Sequence, residues 1–265
     1  MKTKSKLTGI LIFAVLMLGT VYVSVTGKKG VKNNVEKIEI FGNRFLSTQE
    51  YFNFARLNKI SDYKFLSLPI IKSRLQKHPY VAKAEVKFKD ANTVVVSLTE
   101  RKFEALLLED DGQFLLTDDF MVIPVFPYTK NIDLPVVENA LPGSKVRPLR
   151  ELKNEDTKAA FRIIESAKML SPDLYQSISD VDLRKGKEIV LRMRGRDFQV
   201  ILGRGNEASK MVYFSKIWEK LNKAGQPLDS FINYVDLRFD KLIYLGTTNL
   251  AAEAKGDKEA KGDKG

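Results

Sequence analysis

The chain has 265 residues, of which 44 % are hydrophobic, and a formal net charge of +11. It contains no cysteine and one histidine, which excludes disulfides, the usual zinc sites, and cysteine or serine–histidine catalysis. Six lysines and no acidic residue lie in residues 1–34, whereas the folded body that follows is nearly balanced in charge. We therefore expect no basic stripe for nucleic acid and predict no nucleic-acid partner.

Residues 7–25 form an apolar run without a charged side chain. At about 1.5 Å of rise per residue, a helix of this length spans roughly 28 Å, close to the hydrocarbon core of a bilayer. A cleaved signal peptide is the alternative, but its apolar region is shorter and Val23-Ser24-Val25 is a poor cleavage sequence. A buried helix of a soluble protein is disfavoured because neither face carries a polar pattern. The run is predicted to anchor the chain in the lipid bilayer.

The anchor divides the N-terminal region into a leader, residues 1–6, and a linker, residues 26–34. Three lysines precede the anchor and three follow it, so the positive-inside rule gives only a slight preference for a cytoplasmic N-terminus. A short leader followed by a long domain usually exports that domain. We therefore predict that residues 28–265 lie outside the cytoplasm.

Residues 35–101 alternate between strand and helix signals. Strands are predicted at 35–41, 80–89 and 93–100, because apolar and polar residues alternate there. Ser47 and Glu50 have the spacing of a capping box for a helix that runs to about Leu57, and Pro69 suits the first turn of a second helix. The order β-α-α-β-β predicts a three-stranded sheet with two helices on one face.

This order resembles a POTRA domain, and the run from His78 to Arg101 is similar to the corresponding segment of the FtsQ/DivIB cell-division family. Ala91 departs from the pattern, because many members have proline there. The matching positions are Pro79, Val81, Ala84, Val86, Val94, Val96, Glu100 and Arg101, together with Ile40, Gly42 and Ser47 near the start.

Residues 102–248 are predicted to form a mixed sheet with two amphipathic helices, at 157–170 and 208–223. The order of elements resembles the β domain of the same family, so the whole chain is expected to be an α+β protein with an N-terminal transmembrane helix. Residues 249–265 repeat AKGDK and lack large apolar side chains, which predicts a disordered tail.

Several polar or aromatic groups are candidates for sites of chemistry. Each is better explained by structure, as turn or solvent-facing carboxylates, a structural histidine, a strand-to-helix turn, or core packing. We predict no catalytic, cofactor-binding or metal-binding residue and no enzymatic activity. The candidate groups are Asp118 with Asp119, Asp236 with Asp240, His78, the Gly203-Arg204-Gly205 loop, and Trp218 with Phe214.

The terminal strand region offers a different kind of site, because no later element follows to cover it. An exposed edge presents unpaired N–H and C=O groups to a partner strand, and aromatic and arginine side chains beside it are typical anchors. Ordinary sheet packing is the alternative, and alternation is expected to turn some of these side chains into the core. The predicted partner-binding residues are Arg238, Phe239, Leu242, Tyr244 and Leu245.

The family resemblance implies a function for this region, because FtsQ-like proteins bind FtsB through it. It also implies FtsB/FtsL-type coiled-coil partners, contacts of the POTRA domain with other division proteins, and a place in the inner membrane at the septum. The expected function is a scaffold that links assembly of the division complex to peptidoglycan synthesis. Two alternatives remain open: a POTRA-bearing periplasmic chaperone or export-associated protein, and an anchored cell-wall hydrolase.

Overall fold

The structure is a computed structural model that describes residues 13–21, 34–110, 112–140, 145–224, 231–239 and 242–247. The predicted leader and tail, and the linker up to residue 33, lie outside the described residues. Of the predicted transmembrane segment, residues 13–21 are described and are helical. Within the described ranges, no helix is both long and apolar enough to cross a bilayer.

The first folded unit has the predicted β-α-α-β-β order and a three-stranded sheet. Strand β3 lies in the centre, parallel to β1 and antiparallel to β2. One element was not predicted, a 3-10 helix between the two α-helices. The elements are β1 (Lys37–Phe41), α1 (Thr48–Ala55), the 3-10 helix (Ile60–Phe65), α2 (Leu68–Gln76), β2 (Val81–Phe88) and β3 (Thr93–Glu100).

Local sequence signals explain the limits of helix α1. The Ser47 side chain accepts the backbone N–H of Glu50 at 3.2 Å, which satisfies one of the free donors at the helix start. Arg56 adopts a left-handed conformation with φ of 54° and ends the helix just before the predicted end at Leu57. Pro69 lies in the first turn of α2, as predicted.

The described residues of the second unit form a nine-stranded mixed sheet with three helices. Its strand order is β12-β11-β10-β9-β8-β7-β4-β5-β6, with β12 and β6 at the edges. The strands are β4 (Phe103–Glu109), β5 (Gly112–Thr117), β6 (Val122–Pro124), β7 (Val136–Glu138), β8 (Ile178–Asp182), β9 (Val190–Met193), β10 (Gln199–Ile201), β11 (Ile232–Asp236) and β12 (Tyr244–Thr247).

The helices of this unit are α3 (Glu155–Leu170), α4 (Pro172–Ser177) and α5 (Glu207–Ala224). The two long ones confirm the prediction, but the count of two was wrong because α4 is a third. Ser171-Pro172 does end α3, yet the Ser171 side chain also accepts the N–H of Leu174 and so starts α4. The predicted stop of α5 at Gly225 lies outside the described residues.

Strand β5 lies between the two hydrophobic cores. Phe114 and Leu116 pack in the core formed with the long helices, whereas Leu115 packs in the core of the first unit. Successive side chains of a strand point to opposite faces, so one strand serves both cores. Phe103 and Ile123 also belong to the first core. The two units are therefore joined by a shared hydrophobic contact.

Candidate functional site

Strand β12 forms one edge of the nine-stranded sheet. It pairs antiparallel with β11, and the strand order places no other described strand beside it. Within the described residues, the backbone groups on its outer side thus have no strand partner. Gly246 allows the pairing with β11, because a Cβ atom there would lie 2.2 Å from a ring carbon of Tyr234. A glycine at this position lets the Tyr234 ring lie across the strand.

All five residues predicted from the sequence lie at this edge, although only Tyr244 and Leu245 belong to β12 itself. Arg238, Phe239 and Leu242 lie in the connection between β11 and β12. The expectation that some of the five would point into the core was wrong, because each is exposed. The buried positions of the same stretch include Val235, Asp236 and Leu237.

The exposed side chains form an apolar surface. Tyr244 and Leu245 are each 50 % exposed, and the rings of Phe239 and Tyr244 meet edge to face with centroids 5.1 Å apart. Exposed apolar surface of this kind marks interaction sites more often than isolated side chains do. We call the set Phe239, Leu242, Ile243, Tyr244 and Leu245 the edge patch.

A groove of about 270 Å³ lies beside the edge patch. Helix α5 forms one wall and the β11–β12 connection forms the other. Lys210 is buried at the base, where its ammonium group donates to the carbonyl oxygens of Leu202 and Arg204. The residues that line the groove are Asn206, Ser209, Lys210, Tyr213, Leu237, Phe239, Leu242 and Ile243. The groove could receive an apolar side chain from a bound strand.

Arg238 differs from its neighbours because its guanidinium group forms hydrogen bonds within the protein. It donates to the nearly buried carboxylate of Asp236, with Nη2 2.7 Å from Oδ2, and its Nη1 lies 2.6 Å from Glu188 Oε1. These hydrogen bonds lower the pKa of Asp236 and raise that of Arg238. Gly203, with φ of 64°, makes room, since a Cβ there would lie 2.9 Å from Arg238 Cγ. Arg238 therefore fixes the connection that presents the edge patch.

The carboxylates weighed as catalytic groups occupy structural positions. Thr117 donates its hydroxyl to Asp119 in the turn after β5, and Asp118 is exposed. Asp236 is paired with Arg238, and Asp240 lies outside the described residues. Among the described residues, no group of histidine, aspartate and glutamate side chains is arranged to hold a metal ion.

The remaining candidates are also used by the fold. Burial lowers the pKa of His78 to about 4, and its Nδ1 accepts the N–H of Tyr80 at 3.1 Å. Glu207 accepts the N–H of Gly205 at 2.8 Å, so an internal carboxylate binds a backbone donor of the Gly203-Arg204-Gly205 loop. Trp218 is buried and donates its indole N–H to Asp173 at 2.8 Å.

Sequence reasoning missed a polar contact within the first unit, which ties the end of strand β3 to helix α1 and the residues before it. Glu100 accepts the backbone N–H groups of Arg44 and Phe45 and the hydroxyl of Tyr51, and it lies at the end of β3 just before β4. Next to it, Arg101 donates through Nε to the carbonyl of Pro79 at 3.0 Å. The adjacent Glu100 and Arg101 can be seen in the sequence. Their partners lie far away in the chain, so the sequence alone does not indicate these contacts.

The fold and the open edge together define a class of protein, in which a POTRA-type unit is followed by a mixed sheet that ends in an exposed strand. The family model "POTRA domain, FtsQ-type" matches residues 33–101. The Cell division protein FtsQ of Geotalea daltonii is 24 % identical over 210 residues, which cover 79 % of this chain and 74 % of that protein. Residues 33–101 thus resemble an FtsQ-type POTRA domain, and the chain is similar over most of its length to a cell-division protein of the FtsQ type.

Proposed function

We propose that the chain is a non-catalytic scaffold of the bacterial division complex and that it binds an FtsB/FtsL-type pair along the open edge of β12. The observation that carries the proposal is this edge, which has one strand neighbour among the described residues and is surrounded by exposed apolar side chains. A partner strand would extend the nine-stranded sheet through backbone hydrogen bonds. The scaffold would in this way link septal assembly to peptidoglycan synthesis.

The edge patch would supply the specificity that backbone pairing lacks. Phe239 and Leu242 line the groove beside the strand, so an apolar partner residue could be buried between them and helix α5. Tyr244 and Leu245 would be covered by the same partner segment. Buried aromatic anchors of this kind usually dominate the binding free energy of an interface.

The proposal includes a membrane anchor at residues 7–25, a POTRA domain at 35–101 and a β domain at 102–248, both outside the cytoplasm. Residues 13–21 support the anchor, because this helical segment exposes Phe13, Leu16 and Leu18, and water is a poor solvent for such a surface. The POTRA domain would contact other division proteins, and the protein would be enriched at the septum of the inner membrane.

The binding site is tested by changing the edge without changing the core. Leu245→Lys places a charge on the open edge, a feature that discourages strand pairing. Full-length protein co-expressed with the FtsB/FtsL-type pair should lose at least tenfold in co-purified partner and keep its melting temperature. Met169→Lys is the matched control, because Met169 is highly exposed at the end of α3, away from the edge. Equal capture by both variants would reject the site.

The membrane topology is tested by exploiting the absence of cysteine. Met169→Cys introduces a single thiol in the folded body, and a membrane-impermeant maleimide should label it in intact spheroplasts. Labelling that requires lysis would place the folded body in the cytoplasm. A diffuse envelope signal from the tagged protein in dividing cells would argue against septal scaffolding.

A further inference from the structure

The 3-10 helix between α1 and α2 exposes two large apolar side chains. Ile60 is 71 % exposed and Phe65 is 75 % exposed, at the two ends of the helix. Tyr63, between them, points inward and donates its hydroxyl to the carbonyl of Leu57 at 2.6 Å. Burial of Tyr63 therefore holds the backbone in place, and Ile60 and Phe65 project outward from a fixed turn.

The surface around this turn is basic. Residues 54–77 contain six lysine or arginine residues and one acidic residue, Asp62. Lys59 precedes the turn and Lys72 lies on the following helix, and both are exposed. Within the described part of the chain, no salt bridge joins either lysine to a carboxylate. Two large apolar side chains are thus flanked by cations available to an external anion.

The turn lies toward the end of the POTRA unit at which the chain enters. The N–H of Glu36 donates to the carbonyl of Asn92, so the entry point adjoins the β2–β3 hairpin. Helix α2 packs against strand β2. In keeping with this packing, the pKa of Glu85 in β2 is lowered mainly by Lys83 and also by the charge of Lys72 in α2. The end of helix α2 connects to the start of β2. The start of α2 and the 3-10 turn before it therefore lie toward the other end of β2, where the β2–β3 hairpin is.

The length of chain before this end limits its distance from the apolar helical segment. Twelve residues, 22–33, separate residues 13–21 from Asn34. At no more than about 3.6 Å per residue, they span at most roughly 43 Å. An anchored chain therefore holds the turn within reach of the bilayer surface.

We propose that the 3-10 turn is a second membrane contact, which inserts Ile60 and Phe65 at the headgroup–acyl boundary of an anionic bilayer. Lys59 and Lys72 would bind the lipid phosphate groups. Apolar side chains on a basic surface are the pattern of interfacial membrane contacts, in which hydrophobic burial and attraction to anionic lipid act together. The POTRA unit would then be held in a defined orientation on the membrane. The proposal depends on the proposed anchor only because the anchor keeps the POTRA unit close to the membrane.

Spin labelling of the full chain in vesicles tests this directly, because the absence of cysteine allows one label at a time. Ser61→Cys places the label in the turn, and Ser97→Cys places a control label at an exposed position of β3. In vesicles with one quarter phosphatidylglycerol, the label at 61 should be more accessible to oxygen than to a polar nickel complex. The label at 97 should show the accessibility of an aqueous site.

Variants separate the electrostatic part of the membrane contact from its hydrophobic part. Removing one lysine, by Lys59→Gln or Lys72→Gln, should lower the ratio of inserted to free turn about fivefold, since each basic side chain near an anionic surface contributes about 1 kcal/mol. Ile60→Ser should abolish insertion in any lipid. Carbonate-resistant flotation with the vesicles reports on the anchor separately, so its loss would reject the anchor rather than the turn. A label at 61 that stays aqueous in a floating protein, or is shielded only when a partner protein is added, would overturn the proposal.

Discussion

Arg238 and Asp236 form a bidentate ion pair that closes the connection between the last two strands. Arg238 Nε lies 3.0 Å from Asp236 Oδ1, Nη2 lies 2.7 Å from Oδ2, and the backbone N–H of Arg238 also donates to Oδ1. Asp236 is only 3 % exposed, so its carboxylate depends on this partner. The residue that the sequence indicated as a partner anchor therefore also supports the shape of the edge.

We expect Arg238→Gln to lower the melting temperature, because it leaves a nearly buried carboxylate without its cation. Adding Asp236→Asn should recover part of the loss, since a neutral amide is less costly to bury unpaired. A double-mutant cycle from thermal unfolding measures the coupling. Additive effects of the two substitutions would mean that the pair contributes nothing.

Substitutions in the edge patch should have the opposite effect to those in the Arg238–Asp236 pair. They should weaken partner binding strongly and change the stability of the fold little. Phe239→Ala should weaken binding of the FtsB/FtsL-type pair about thirtyfold, equivalent to about 2 kcal/mol for an interface hot spot. Its unfolding free energy should change by less than about 0.5 kcal/mol, because the ring is half exposed. Titration calorimetry and urea unfolding provide the two measurements. Tyr128→Phe, at an exposed site outside the edge patch, should change neither.

The sequence predicted elements that depend on local signals and missed those that depend on distant pairing. Ser47 and the Thr157–Leu170 stripe identified helices because capping and periodicity are local properties. The 3-10 turn has no side-chain cap hydrogen bond at its start, so nothing local marks it. The position of β7 between β4 and β8, and the salt bridge of Arg238 with Glu188, join residues far apart in the chain. A single sequence carries no record of such pairings.

His78 should make the stability of the protein depend on pH. Burial lowers its folded-state pKa from 6.5 to about 4, so the unfolded chain binds a proton first as the pH falls. Stability should therefore be lost as the pH falls below about 6.5, by about 2 kcal/mol between pH 7.5 and pH 5, and the loss should level off below about pH 4. Urea unfolding at several pH values measures this slope.

His78→Phe supplies the control for that slope. The imidazole packs among aromatic rings, with centroids 4.5 Å from Phe54 and 4.8 Å from Phe126, so a phenyl ring suits the site. The chain contains one histidine, so the variant should lack the slope near neutral pH. An unchanged slope would show that another group titrates there.

Glu100 should be essential to the contact between the end of strand β3 and helix α1 in the first unit. Glu100→Ala removes the acceptor of two backbone N–H groups and of the Tyr51 hydroxyl, so we expect a loss of about 2 kcal/mol in the free energy of unfolding. Glu85→Ala is the matched control, because Glu85 makes an exposed ion pair with Lys83 and should change stability by less than about 0.5 kcal/mol. Equal stability of the two variants would show that Glu100 is dispensable.

Gly42 is a glycine at which a side chain should be tolerated poorly. Its φ is 88°, and an added Cβ would lie 2.2 Å from the carbonyl oxygen of Leu98 in the neighbouring strand β3. Gly205 has a similar φ of 78° but nothing within 4 Å of the added atom. Gly205→Ala should therefore show the cost of the backbone conformation alone, about 1 kcal/mol. Gly42→Ala should cost substantially more, because strand β1 must move away from β3. Urea unfolding of both variants tests the comparison, and equal losses would mean that the close approach to Leu98 is relieved without strain.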